Sequence, residues 1–199
     1  MRNLIILLFS IPFLGWSQSH EDLTDLCSIE NSEIIILGSS NIADYKCELY
    51  DFSNNSNIEI VSEVYGHTIK LKNAKVQLKS KGFDCENRIM TNDFFKAIKG
   101  EQHPIISVEF HQFTLTQDVA NHPVQQNIPS KISIRLAGVR NFYSPRLSSL
   151  TVKSDQLTFT GFVDLKMTEF DIDPPTALFG TVKTADEIRV AFKITFQMK

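Results

Sequence analysis

The sequence predicts one all-β antiparallel domain, and three observations carry that expectation. Near the C-terminus, Ile188, Val190, Phe192, Ile194 and Phe196 alternate with Glu187, Arg189, Ala191, Lys193 and Thr195. This is the period-two signature of a strand with one apolar and one wetted face. Shorter alternating segments recur along most of the chain, separated by Gly, Asn, Ser and Pro. Finally, 199 residues with 15 Phe and a single Trp suit one β unit with a large apolar interior, since sandwiches and barrels of roughly this length fold as single domains.

The N-terminus reads as a targeting segment. Arg2 precedes an apolar run from Leu4 to Leu14, followed by Gly15-Trp16-Ser17. The run is shorter than the ~20 residues that span a bilayer but fits the core of a secretory signal. Cleavage is expected after Ser17, giving a signal peptide over residues 1–17, a polar, acidic, flexible lead-in over 18–32, and the β domain over 33–199. The expected product is periplasmic or secreted.

Within the domain, Ile34–Leu37 and Tyr45–Tyr50 read as the first strands, divided by Gly38-Ser-Ser-Asn41. Phe52–Asn57 is rich in Asn and Ser and reads as a loop. Ile58–Val64, His67–Leu71 and the alternation Ala74, Val76, Leu78 follow as strands. A short helix is expected near residues 92–99, capped by Thr91 or Asn92, with Asp93 in its first turn and Gly100 beyond its end. Phe94, Phe95 and Ile98 on one face would plug a barrel end or pack on a sheet.

Strands resume at Ile106, Val108 and Phe110, at Ile132, Ile134 and Leu136, and around Leu150 and Val152, with a polar connection over Thr116–Pro129. Leu157–Leu165 is another strand. Its phase is ambiguous because Phe159 and Val163 oppose Phe162, and Gly161 suggests a bulge. Asp173-Pro174-Pro175 then takes the chain out of the sheet. The Phe170–Gly180 loop carries Leu178 and Phe179, and reads as a lid or as a cap on the core.

Charge and motif content exclude several functions. A net charge of −3 lacks the cationic excess of a nucleic-acid binder. No nucleophile elbow, zinc-protease motif or phosphate loop occurs, and the chain is read as a non-enzyme without cofactor. Glu109 and His111 share a strand face but suggest no third metal ligand. Asp171 and Asp173 read as turn residues. Lys70, Lys72, Lys75, Lys79 and Lys81 crowd one hairpin, as a wetted face or as a site of transient contact with an anionic membrane. Of three cysteines, Cys47 and Cys85 lie in ordered segments and are the preferred disulfide, although pairing with Cys27 or free thiols also fit the spacing. Nothing in the sequence speaks to oligomeric state.

The order of segments carries a resemblance. Asn87-Arg-Ile-Met-Thr-Asn-Asp-Phe-Phe95, His103-Pro-Ile-Ile-Ser-Val-Glu-Phe110, Ile132-Ser-Ile-Arg-Leu-Ala-Gly-Val-Arg140, Phe170-Asp-Ile-Asp-Pro-Pro-Thr176 and Asp186-Glu-Ile-Arg-Val190 together resemble the YceI-like family of secreted bacterial proteins over residues 33–197. The resemblance implies a lipocalin-like antiparallel barrel of about eight strands whose apolar lumen holds an isoprenoid lipid. Alternation alone fits a filled sandwich equally well. On the barrel reading, the lumen is expected to be lined by Val108, Phe110, Ile134, Leu136, Phe159, Val163, Ile188, Val190, Phe192 and Ile194, with Phe170, Leu178 and Phe179 at one end. One departure stands out: many family members carry an Arg, and a Gly after the Phe, where this chain has Met167 and Asp171. The expected function is carriage or sequestration of a polyprenyl or quinone-like lipid. The alternative is a ligand-free secreted β domain that binds a partner protein through the Lys-rich hairpin or the Pro-Pro loop.

Overall fold

The computed structural model describes residues 22–199 apart from 119–120, 154 and 178. The expected signal peptide and Leu178 therefore lie outside the described residues. The strands are β1 (Asp22–Ser40), β2 (Asp44–Tyr65), β3 (Thr68–Lys72), β4 (Lys75–Lys79), β5 (Ile105–Thr114), β6 (Val124–Leu136), β7 (Val139–Tyr143), β8 (Arg146–Lys153), β9 (Gln156–Lys166), β10 (Thr176–Ala177) and β11 (Val182–Met198). Helix α1 spans Arg88–Ala97, and a 3₁₀ turn spans Met167–Phe170.

All pairings are antiparallel. Eight strands close a ring in the order β1, β2, β3, β5, β6, β8, β9, β11 and back to β1. Closure leaves the ring strands no continuous free edge, and the expected lipocalin-like barrel is the observed architecture.

Several sequence expectations are corrected, and the connection expected over Thr116–Pro129 is already strand from Val124, where β6 begins. The lead-in is not loose where it is described: from Asp22 onward β1 pairs with β2, and from Cys27 onward also with β11, burying Cys27 and Ile29 completely. The Asn- and Ser-rich run at 52–57 is not a loop. It continues β2 against β1 through register shifts around Ile29 and Ser32, where bulges absorb the poor strand propensity.

The ring is not uniform along its axis. On β5, β3 pairs with Gln112–Thr114 while β4 pairs with Ile105–Glu109. On β6, β8 takes Val124–Pro129 and β7 takes Ile132–Leu136. At this second end β4 and β7 do not join β2 and β9, so the wall splays. The first gap is filled by residues 80–87, held to β2 by backbone bonds between Glu48 and Asp84 and by the Cys47–Cys85 disulfide, Cα–Cα 4.0 Å. Cys27 is buried outside that bond. Across the other gap Asn141 donates to the Glu169 carbonyl (2.6 Å) and the Tyr143 hydroxyl to the Glu169 carboxylate (2.7 Å).

The helix starts earlier than its expected cap. Asn87, not Thr91 or Asn92, caps it, accepting from the amides of Ile89 (3.1 Å) and Met90 (3.0 Å). Thr91 instead accepts from the Cys85 amide (3.0 Å) and donates toward Asp84 (3.2 Å), tying the helix to the disulfide segment.

Inward phase follows the expected alternation. Gly161 faces in, and an added Cβ would lie 3.1 Å from the Phe192 ring. The register shift falls on β8 opposite it, between Leu147 and Ser149. Phe162 points out beneath Arg189, whose guanidinium lies 4.4 Å from the ring centroid.

Candidate functional site: an apolar cavity at the splayed end

The two ends of the barrel are filled differently. At the narrow end Phe110 stacks on Phe159 with ring centroids 5.3 Å apart, and Phe113, Phe192 and Phe196 pack edge-on around them. Phe159 and Phe196 are fully buried with Ile29, Ile128, Leu147 and Leu150. This is close-packed core.

At the splayed end lies a cavity of ≈ 830 Å³, in the ~300–1,000 Å³ range of small-molecule sites. Its walls come from every side of the ring: Ile34 and Ile36 on β1, Ile106 and Val108 on β5, Ile134 and Leu136 on β6, Ile188 and Val190 on β11. The disulfide, Phe83, Met90, Phe94 and Ile98 close the side beneath α1. Met167, Ile172 and Pro175 close the side beneath the Pro-rich loop.

The expected lining therefore divides. Val108, Ile134, Leu136, Ile188 and Val190 line the cavity. Phe110, Phe159, Phe192 and Ile194 share their inward phase but are buried core rather than cavity wall, as is Val163. Phe170 is fully buried against Tyr143, with ring centroids 6.3 Å apart. Phe179 is fully exposed and holds a left-handed backbone at φ 58°. Period two tells in from out, but depth along the barrel axis decides between core and cavity.

Sequence reasoning missed Ile34, Ile36, Met90, Met167 and Ile172 as lining, whereas of the expected helix plug Phe94 and Ile98 do line the cavity and Phe95 does not. Met167 could have been found, because it stands where the resemblance places an Arg in many family members. Asp171, which stands where the resemblance places a Gly, adopts φ 53° as it ends the 3₁₀ turn, a conformation Asp tolerates better than most side chains.

The polar atoms sit at the rim. Asp44, Glu86, Asp93, Asp173 and Lys96 are exposed residues at the margin of the lining. Tyr45 lies across Gly38, its cross-strand neighbour, where an added Cβ would come within 2.2 Å of the ring. Burial pushes the Tyr45 phenol above its usual pKa, so it stands as a neutral hydroxyl at the mouth. The 40–43 turn and the 181–183 turn are tied by Asn41, which donates to the Thr181 carbonyl (2.9 Å) and accepts from the Lys183 amide (2.8 Å). Ile42 is exposed on the first of these turns.

Elsewhere, Glu109 pairs with Arg140, and His111 bonds Ser133 (2.9 Å). Among the described residues no group of three metal-ligating side chains converges.

Comparisons with known proteins address the fold. A polyisoprenoid-binding domain from Saccharophagus degradans, implicated in plant cell wall breakdown, superposes with TM-score 0.56 at 8% identity, covering 87% of this chain and 98% of that one. BcnA of Burkholderia cenocepacia superposes with TM-score 0.51 at 11% identity, over 82% of this chain and 95% of that one. The fold is that of the YceI-like proteins. A Campylobacter jejuni YceI protein gives TM-score 0.48 at 13% identity over 65% of this chain and 72% of that one. No family model matches the chain, and no curated protein matches it in sequence.

Proposed function

We propose that this protein binds an isoprenoid-tailed lipid in the cavity and carries or sequesters it outside the cytoplasm, without a catalytic step. The observation that carries the reading is the ≈ 830 Å³ apolar cavity at the splayed end of a closed barrel. A branched, unsaturated chain suits walls built from Ile, Val and Leu, since dispersion and water exclusion need no directed bonds. The solved neighbour described as a polyisoprenoid-binding domain supports the same class of ligand.

Burying one five-carbon isoprene unit is worth about 3–4 kcal/mol relative to water. A lipid drawn from a bilayer gains almost none of this, so exchange runs near balance and favours shuttling over capture. Transient contact of the rim with a membrane would let the lipid pass without crossing water, and exposed Ile42 and Phe179 are the rim-side residues suited to it. Export through a signal peptide over residues 1–17 agrees with the Cys47–Cys85 disulfide, which persists in oxidising compartments.

The test is uptake of a fluorescent prenyl alcohol by the purified protein, with organic extraction of what co-purifies. Leu136→Trp, which places a large ring in the cavity, is expected to cut uptake at least tenfold while the barrel still unfolds cooperatively. An empty wild-type protein that rejects prenyl lipids would overturn the reading and favour a protein-interaction module.

A further inference from the structure

A second concave site lies on the outer wall, on the face of β4, β5, β6 and β7 opposite the lumen. It is a crevice of ≈ 280 Å³ lined by Asn73, Lys75, Ser107, Glu109, Ser133, Arg135 and Arg140. Cross-strand register sets its layout. Lys75, Glu109 and Ser133 form one row across β4, β5 and β6, and Ser107, Arg135 and Arg140 form the next across β5, β6 and β7.

Three cations face one carboxylate here, in a chain whose net charge is −3. That carboxylate is already engaged: Glu109 pairs with Arg140, whose Nε also donates to the Ser133 hydroxyl at 3.1 Å. Lys75 and Arg135 have no anionic partner among the described residues. Arg135 stands directly opposite Arg140 across the two-residue hairpin turn at Ala137-Gly138, a like-charge juxtaposition that destabilises a strand pair unless an anion lies between. Ser107 is 7% exposed, it lines the crevice, and its hydroxyl has no hydrogen-bond partner among the described residues, so it is left open to the crevice as a free donor.

We infer that this crevice is an oxyanion site that seats a single phosphate- or sulfate-sized group. Lys75 and Arg135 supply the charge. The Ser107 hydroxyl and the Asn73 amide supply neutral donors, and Arg140, held in place by Glu109 and Ser133, closes the far side. Guanidinium and hydroxyl donors lining one small crevice suit a group that accepts through several oxygens. The crevice is too small and too recessed for a flat bilayer face, so the ligand is a free small oxyanion. The inference does not depend on what fills the lumen.

The test uses the intact protein at low ionic strength, titrated with inorganic phosphate and then sulfate while backbone amide resonances are followed. Saturable shifts at Ser107, Ser133 and Arg135, absent with chloride at matched ionic strength, are expected. Arg135→Gln should weaken the apparent affinity roughly tenfold, the worth of one charge-assisted hydrogen bond. Lys75→Gln, on a different strand, should weaken it as well; without anion, Lys75→Gln should unfold at the wild-type denaturant concentration and Arg135→Gln at or above it, because that change removes the Arg135–Arg140 like-charge pair. Shifts equally produced by chloride, or unaffected by both substitutions, would mean an adventitious ion only and would overturn the site. So would the absence of saturable shifts.

Discussion

Phe110 and Phe159 stack at 5.3 Å between centroids, on β5 and β9, which β6 and β8 separate in the ring, and so help seal the narrow end of the lumen. Their contact sets the floor of the cavity. Phe159→Ala is expected to cost about 3–5 kcal/mol, the range for a buried aromatic truncated in close-packed surroundings. Val108→Ala, on the cavity wall, should cost clearly less, because part of its surface already faces open volume and loses no partner atoms. Urea unfolding of the two variants checks the order. Equal losses would mean that the cavity wall is packed as tightly as the floor.

The disulfide between Cys47 and Cys85 closes a span of 38 residues and forms part of the cavity wall. Its removal is expected to cost about 2–4 kcal/mol, chiefly through a freer unfolded chain. Because residues 80–87 fill a gap where β4 does not reach β2, the loss should also loosen α1. Cys47→Ser combined with Cys85→Ser should lower the unfolding midpoint and raise amide exchange within Arg88–Ala97. A lower midpoint with unchanged helix exchange would assign the bond to global stability alone.

How much of this was legible in the sequence follows from what period two can encode. The inward phase of Val108, Ile134, Ile188 and Val190 was readable because a one-residue slip would have put each of them in water. The separation of these residues from Phe110, Phe159 and Phe192 was not. All share a phase, and their fate depends on where β4 and β7 stop pairing, which is set by long-range register. Asn54 in β2 and Ser28 in β1 defeated propensity for a related reason, since a closed ring imposes pairing on segments that would not form strands alone. The helix start at Asn87 was missed because Asp93 after Asn92 carried the first-turn charge signal that placed the cap later.

Thr168 fixes the start of the 3₁₀ turn beneath the Pro-rich loop by donating twice to Asp186, from its amide (2.9 Å) and its hydroxyl (2.7 Å). The amide bond, then the hydroxyl bond, hold the Asp186 carboxyl below its usual pKa. A carboxyl depressed in the folded state contributes stability that is full above its unfolded pKa of about 3.9 and is lost as pH falls through the lower folded value. Exchange of the Thr168 amide should therefore accelerate below about pH 4 beyond the intrinsic rate. Asp186→Asn should show faster exchange at neutral pH and less change on acidification. The group is solvent-exposed, so the global unfolding midpoint should move little. Acid-insensitive protection at Thr168 in the wild type would refute the anchoring role.

The rim of the cavity carries Asp44, Glu86, Asp93 and Asp173 against a single Lys96, whose ammonium already lies 3.9 Å from Asp93. Among the described residues the wall below holds Met167 and no cation. A lipid whose tail fills the cavity must leave its head at this rim, where a phosphate would meet an excess of carboxylates over cations. A neutral head meets the Tyr45 hydroxyl, which is protonated at neutral pH as any phenol is and is pushed further from ionisation by burial. A prenyl alcohol should therefore bind at least roughly tenfold tighter than the prenyl phosphate of equal length at low salt, an electrostatic difference of about 1.4 kcal/mol. The gap should narrow at high ionic strength, since the rim is exposed and screened. Tyr45→Phe should weaken the alcohol more than it weakens the phosphate, by removing a neutral donor at the mouth. Competition binding with a fluorescent prenyl probe at two salt concentrations measures both effects. Equal affinity for alcohol and phosphate at low salt would show that the head group lies clear of these carboxylates, with the tail entering from another side of the barrel.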